Sequence, residues 1–161
     1  MLGAPWRKVQ PHPFLIANEL QRPSYVSLQS ALAYYAMIPE AVPVTTSVTT
    51  GRPVTLDTPL GRYRYRHVRR GAFFGYGPVN VFPDQEALLA EPAKALLDLI
   101  YLTPGGDGAD YLESLRLEGL EAISPQDLRD QARAWGRDKI ARAVEAILRL
   151  RESVPETAAR R

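Results

Sequence analysis

The chain of 161 residues carries a net charge of +2 and is 45% hydrophobic and 24% charged, which is typical of a globular domain and excludes disorder along the whole length. It has no cysteine and two histidines, which excludes a disulfide framework, a thiolate zinc site and a cysteine nucleophile, and predicts no metal and no cofactor. No apolar run reaches the roughly 18 residues that span a bilayer, and the N-terminus lacks the apolar segment of a signal peptide. We therefore expect a cytoplasmic protein without a membrane partner.

Charge is distributed unevenly along the chain. Residues 1–70 hold nine Lys/Arg and three Asp/Glu, whereas residues 71–161 hold eleven Lys/Arg and fifteen Asp/Glu. This asymmetry indicates an anionic partner for the first half, or two halves of one domain that attract each other.

Two short helices are predicted in the first part of the chain. Residues 1–12 are expected to form a tail, and residues 14–20 a short helix. Ser27 is a suitable N-cap for a second helix over residues 28–37, which Pro39 would end.

The middle of the chain is predicted to form strands. β-branched residues, alternating patterns and short Gly/Pro turns favour strands over six segments, of which the last could instead begin a helix. These segments are 42–50, 54–57, 62–68, 72–76, 79–82 and 86–90. Because the turns are short, mostly antiparallel pairing is expected.

The remainder is predicted to be helical. Helices are expected over 92–102, 109–118, from Ser124 to about Gly136, and 138–153. Segregated strands and helices predict an α+β fold, with short helices before the sheet and three to four C-terminal helices packed on it. We expect one domain over residues 13–153, with the sheet and first helices in 13–102, a helical tail in 103–153, and a flexible C-terminus in 154–161.

The most informative pattern is GRYRYRHVRR at residues 61–70. Alternation along a strand places Arg62, Arg64 and Arg66 on one face, about 6.6–6.8 Å apart, and the opposite face holds Tyr63, Tyr65 and a hydrogen-bonded, half-buried His67. The arginines have no neutralising residue nearby in the sequence. They are expected either to grip nucleic-acid phosphates or an acidic protein, or to form a solvated face paired with carboxylates of the acidic half. The candidate partner-binding residues are Arg52, Arg62, Arg64, Arg66, Arg69 and Arg70.

A second group of charged residues begins the helix at 92–102. Lys94 and Asp98 are four residues apart and share a helical face, while Glu91 precedes the helix. The favoured interpretation is an intrahelical ion pair with Glu91 near the positive end of the helix dipole. A nuclease-type site using these three residues is the less favoured alternative, so no catalytic residue is assigned.

Three blocks of sequence, taken in order, resemble a known family. They are RPSYVSLQSAL with IPE (22–32, 38–40), TSVTT with TPLGRYRYRH and FFGY (46–50, 58–67, 73–76), and EPAKALLDLIYL (91–102). Together they are similar to the C-terminal domain of the AbiEi-type antitoxin and transcriptional-regulator family, over roughly residues 12–102. Two departures are apparent: the residues before Pro11 leave no room for the family's winged helix-turn-helix, and Ala93 stands where the family typically has Glu.

The resemblance implies a non-enzymatic antitoxin domain of a bacterial type IV toxin–antitoxin (abortive-infection, anti-phage) system. Such a domain counteracts a nucleotidyltransferase-type toxin. The expected partner is that toxin, and DNA or RNA is a second expected partner. The alternative is a nucleic-acid-binding regulatory module without antitoxin activity, and a nuclease-like enzyme is the third hypothesis. No pattern in the sequence sets an oligomeric state.

Overall fold

A six-stranded sheet with helices on both sides forms the fold in the computed structural model, which describes residues 10–152. Of the expected N-terminal tail over residues 1–12, residues 1–9 lie outside the described residues, as does the whole of the expected flexible C-terminus over 154–161. The strands are β1 (Ser24–Val26), β2 (Val44–Thr49), β3 (Val54–Thr58), β4 (Gly61–His67), β5 (Tyr76–Phe82) and β6 (Gln85–Ala90). The helices are α1 (Pro13–Leu20), α2 (Leu28–Tyr34), α3 (Pro92–Leu102), α4 (Ala109–Ser114), α5 (Pro125–Trp135) and α6 (Asp138–Glu152), with short 3₁₀ turns at Arg70–Ala72 and Leu120–Ala122.

The sheet is mixed, with the strand order β3-β4-β2-β1-β6-β5. β4 runs parallel to β2, and β6 parallel to β1, while the other three pairings are antiparallel. The predicted α+β class is confirmed, and the prediction of a mostly antiparallel sheet is wrong. The reason is that the β3–β4 hairpin joins the sheet through β4, whose Tyr63 and Tyr65 are fully buried, and this leaves the half-buried β3 at the edge.

The predicted strand at 72–76 is also wrong. Ala72 ends a 3₁₀ turn, and Gly75 has a left-handed backbone with φ of +74°. β5 begins only at Tyr76 and continues through Pro78 to Phe82. A proline is tolerated there because β5 lies at the edge of the sheet, where one side needs no ladder hydrogen bonds.

Helices cover both faces of the sheet. α1 lies on the face that carries Tyr65, whose hydroxyl donates to the Ala17 carbonyl at 2.6 Å. α3 lies on the opposite face and is buried along most of its length, between the sheet and helices α2, α5 and α6. No helix within residues 10–152 is long and apolar enough to cross a membrane.

The carboxyl end of α3 is capped by two cations from other elements. Arg66 of β4 donates to the Leu102 carbonyl at 3.0 Å. Lys139 of α6 donates to the carbonyls of Tyr101 and Thr103 at 3.1 and 2.7 Å. Positive charge at this end of a helix opposes its dipole and satisfies its free carbonyls, so α3 is tied to the sheet and to α6 at one point.

The two edges of the sheet differ in how well they resist further pairing. β5 contains Pro78, which has no N–H to donate, and a bulge between Asn80 and Phe82. β3 has neither device in its five residues, and its only charged residue, Asp57, is bound to Arg62. Because proline and bulges are the usual protection of edge strands, β5 is protected and β3 is open.

The start of α5 provides a test of local capping. The Ser124 hydroxyl accepts a hydrogen bond from the Asp127 amide at 2.9 Å, as the sequence predicts. We expect Ser124→Ala to lower the free energy of unfolding by about 1 kcal/mol, and Ser124→Asp to preserve it. Urea denaturation followed by circular dichroism measures both. The control is Ser114→Ala at the exposed end of α4, where a change of equal size would contradict the capping role.

Candidate functional site

Three of the six candidate arginines are held by the molecule itself. Arg62 Nε lies 2.6 Å from Asp57 Oδ1, directly across the β3–β4 hairpin, and this hydrogen bond raises the pKa of Arg62. Arg66 caps α3, as described above. Arg69 donates to the Trp135 carbonyl at the end of α5. The expectation that nothing nearby neutralises the arginines of β4 is therefore wrong for Arg62, because the hairpin register places Asp57 opposite it.

Arg64 is the arginine of β4 that the fold leaves open. It is exposed, and no residue within 10–152 provides it with an acidic partner. Its neighbours across the sheet are two threonines, Thr46 on β2 and Thr55 on β3. Thr46 is buried, and its hydroxyl accepts from the Ser30 amide of α2 at 3.0 Å, whereas Thr55 is exposed. The space beside Arg64 is thus closed on the β2 side and open toward β3.

Two further candidates lie beyond the carboxyl end of β4. Arg52 is in the turn between β2 and β3, and Arg70 begins the 3₁₀ turn after β4; both are exposed. His67 Nδ1 lies 2.9 Å from the Gly51 carbonyl, so the prediction of a hydrogen-bonded histidine is confirmed. His67 is exposed rather than half-buried, because it lies past the part of β4 that the helices cover.

Lys94 and Asp98 form a buried cluster with Tyr25 of β1 and Ser27 at the start of α2, called the Lys94 cluster below. Both charged side chains are completely buried, with Lys94 Nζ 2.7 Å from Asp98 Oδ1. Lys94 also donates to the Tyr25 hydroxyl at 2.6 Å and to the Ala72 carbonyl at 2.7 Å. Asp98 Oδ2 accepts from Tyr25 at 3.0 Å and from Ser27 at 2.8 Å. All three ammonium protons and both carboxylate oxygens are therefore used.

Burial sets the electrostatics of this cluster. It raises the pKa of Asp98 and lowers that of Lys94, and the attraction between the two groups opposes both shifts. Burial and the Asp98 carboxylate also raise the pKa of Tyr25. The Lys94 ammonium lies 4.4 Å from the centre of the Phe74 ring, which adds a cation–π contact. A substrate cannot reach these groups without opening the core.

Gly75 closes the cluster from the side of β5. Its left-handed backbone brings the chain close to Lys94, and a Cβ atom added at Gly75 would lie 2.8 Å from Lys94 Cγ. Glycine is thus required here both for its backbone conformation and for the space.

The predicted intrahelical ion pair of Lys94 and Asp98 is confirmed, and Glu91 lies at the N-terminal end of α3, as predicted. Glu91 is exposed at the N-cap of α3, and its carboxylate accepts from the Gln131 side chain of α5 at 2.9 Å. The structure therefore does not bring Glu91, Lys94 and Asp98 together into one accessible site, as a nuclease-type centre would require.

Sequence reasoning missed Tyr25 and Ser27 as partners of the pair. Ser27 is the N-cap residue of α2, as predicted, but its hydroxyl donates to Asp98 instead of capping the helix. Thr46 of β2 caps that helix instead. The one signal in the sequence is a pair of hydroxyl groups in a segment that precedes a helix, about 70 residues from Lys94.

Comparison of the chain with protein-family models, with curated proteins and with solved structures gave no match.

Proposed function

We propose that this chain is an antitoxin-like domain of a bacterial type IV toxin–antitoxin system, which acts in the cytoplasm and counteracts a nucleotidyltransferase-type toxin by binding. The observation that carries the proposal is Arg64, an exposed guanidinium on an open part of the sheet with no acidic partner in residues 10–152. Three blocks of sequence similar to the AbiEi-type family support the same function.

Binding suits the two groups of charged residues better than catalysis does. The Lys94 cluster satisfies its own hydrogen bonds inside the core, so it stabilises the junction of β1, α2 and α3. Arg64 lies outside that core, next to the Arg62–Asp57 pair. A guanidinium in this position provides five donors in a planar fork that matches a carboxylate or a phosphate.

A nucleic-acid-binding module is the second candidate. It is supported by the spacing of Arg62 and Arg64. Because they are alternate residues of one strand, they lie about 6.6–6.8 Å apart on the same face. If nucleic acid is the partner, its affinity falls steeply with salt because each phosphate contact releases counterions. The capping role of Arg66 leaves fewer arginines for such a surface than the sequence predicts.

Co-expression with a nucleotidyltransferase-type toxin tests the proposal. We expect the chain to restore growth, and Arg64→Glu to reduce the number of surviving colonies at least tenfold, as expected from reversing one central charge of an interface. The matched control is Arg149→Glu on the exposed face of α6, which should rescue as the unchanged chain does. Toxin-arrested growth in the presence of the unchanged chain would refute the antitoxin function.

A further inference from the structure

We infer that β3 is a docking edge, to which an extended acidic segment of a partner protein adds as a seventh strand, with a carboxylate reaching Arg64. The acidic character of the segment rests on the proposed function, whereas the strand addition is argued from the sheet alone.

The first argument is the contrast between the two sheet edges. β5 is blocked by Pro78 and by the bulge between Asn80 and Phe82. β3 is regular and fully paired to β4 from Val54 to Thr58. Its other side has no neighbouring strand within residues 10–152. An edge that lacks these protections offers its backbone N–H and C=O groups to another strand.

The second argument is the charge beside this edge. Thr55 lies opposite Arg64, so only a small exposed side chain separates the guanidinium from the edge. The next pair on the same face of the hairpin is Arg62 with Asp57, whose charges neutralise each other. A strand added to β3 places alternate side chains on the face of Arg64, and a carboxylate at the position next to Thr55 is the group that would neutralise it.

A partner segment fits this edge better than a second copy of the chain does. Pairing of β3 with β3 of another copy would present a carboxylate, Asp57, that is held by Arg62 of its own chain. Each copy would then add a further unpaired Arg64 to the interface. An acidic segment from another protein removes the charge imbalance, whereas a second copy doubles it.

The test titrates the full chain with a synthetic, end-capped peptide of seven alternating Val and Glu residues. Binding is measured by NMR of the backbone amides of the chain. We expect shift changes over Val54–Thr58 and at Arg64, and slowed exchange of those β3 amides that do not already donate to β4. A Val/Lys peptide should bind at least tenfold more weakly. Arg64→Gln should also weaken binding about tenfold, and Arg149→Gln should leave it unchanged.

Two methylated versions of the peptide separate strand pairing from simple charge attraction. One carries N-methyl groups on its valines and the other on its glutamates. A strand donates alternate N–H groups to one neighbour, so one version should keep its affinity and the other should lose at least tenfold. Equal affinities would overturn the inference.

Other results would also overturn it. These are no binding of the unmethylated peptide, shifts confined to the separate cleft of about 420 Å³ between α1 and β6, or pairing of two chains through β3. Nucleic-acid binding at Arg64 without peptide binding would overturn the strand addition and leave the second candidate function. Peptide binding at β3 without growth rescue would overturn the antitoxin proposal alone.

Discussion

Lys94→Met is expected to lower the free energy of unfolding by about 3–5 kcal/mol. The substitution leaves the Asp98 carboxylate completely buried without its cation, and removal of one partner of a buried ion pair has effects of this size. It also removes the donor to the Tyr25 hydroxyl and to the Ala72 carbonyl. Urea denaturation followed by tryptophan fluorescence measures the change, since Trp135 lies beside Lys94.

The control for this variant is an exposed ion pair on α5. Arg133→Met breaks the pair with Asp130 and should change stability by less than about 1 kcal/mol. The double variant Lys94→Met/Asp98→Leu removes both buried charges and should recover at least about 1 kcal/mol relative to Lys94→Met. A loss of stability in Lys94→Met no larger than in Arg133→Met would contradict the role assigned to the Lys94 cluster.

The same variant should respond to pH. With Lys94 gone, burial holds the folded-state pKa of Asp98 above its unfolded value. A carboxyl group whose pKa is higher in the folded state contributes stability in its protonated form. For Asp98 this contribution is fully present below the unfolded-state pKa and is lost as the pH rises through the folded-state pKa. The difference between Lys94→Met and the unchanged chain should therefore shrink as the pH falls from 7 toward about 4, the ordinary range of an aspartate.

Gly75→Ala is expected to lower the free energy of unfolding by about 2–5 kcal/mol. The left-handed backbone costs an alanine roughly 1–2 kcal/mol. The added methyl group then meets Lys94 Cγ at 2.8 Å, and overpacking of this kind adds roughly 1–3 kcal/mol. Thermal and urea unfolding both report the change.

Gly105→Ala separates the two contributions. Gly105 has nearly the same φ, +73°, but an added Cβ would have no atom within 4 Å. Gly105→Ala should therefore lower the free energy of unfolding only by the backbone contribution of about 1–2 kcal/mol. Equal losses at Gly75 and Gly105 would show that Lys94 moves aside without strain, and that the cluster is less tightly packed than its distances indicate.

Local signals in the sequence predicted local structure well. Ser124 and Pro125 mark the start of α5, and the spacing of Lys94 and Asp98 gives an ion pair on one face of α3. Alternation in β4 correctly separates the buried tyrosines from the arginines. Such signals depend on hydrogen bonds and side-chain spacing within a few residues. Ser27 is the exception, because its hydroxyl donates to the distant Asp98 instead of capping α2.

Strand pairing and the distant partners of the arginines could not be predicted from the sequence. A hairpin can join a sheet through either strand, so the short turns around β3 left the parallel pairing of β4 with β2 undetermined. The fate of each arginine also depended on distant residues. Arg66 meets a helix end 36 residues away, and Arg69 the end of α5 66 residues away. The regular spacing of the arginines along the strand does not predict these partners.

The unequal edges of the sheet also limit how copies of this chain can assemble. An open-ended filament of sheets requires each molecule to accept a strand on one side and to offer one on the other. Pro78 and the neighbouring bulge prevent β5 from serving as the second side. Extension of the sheet through the described strands therefore stops after a single addition at β3.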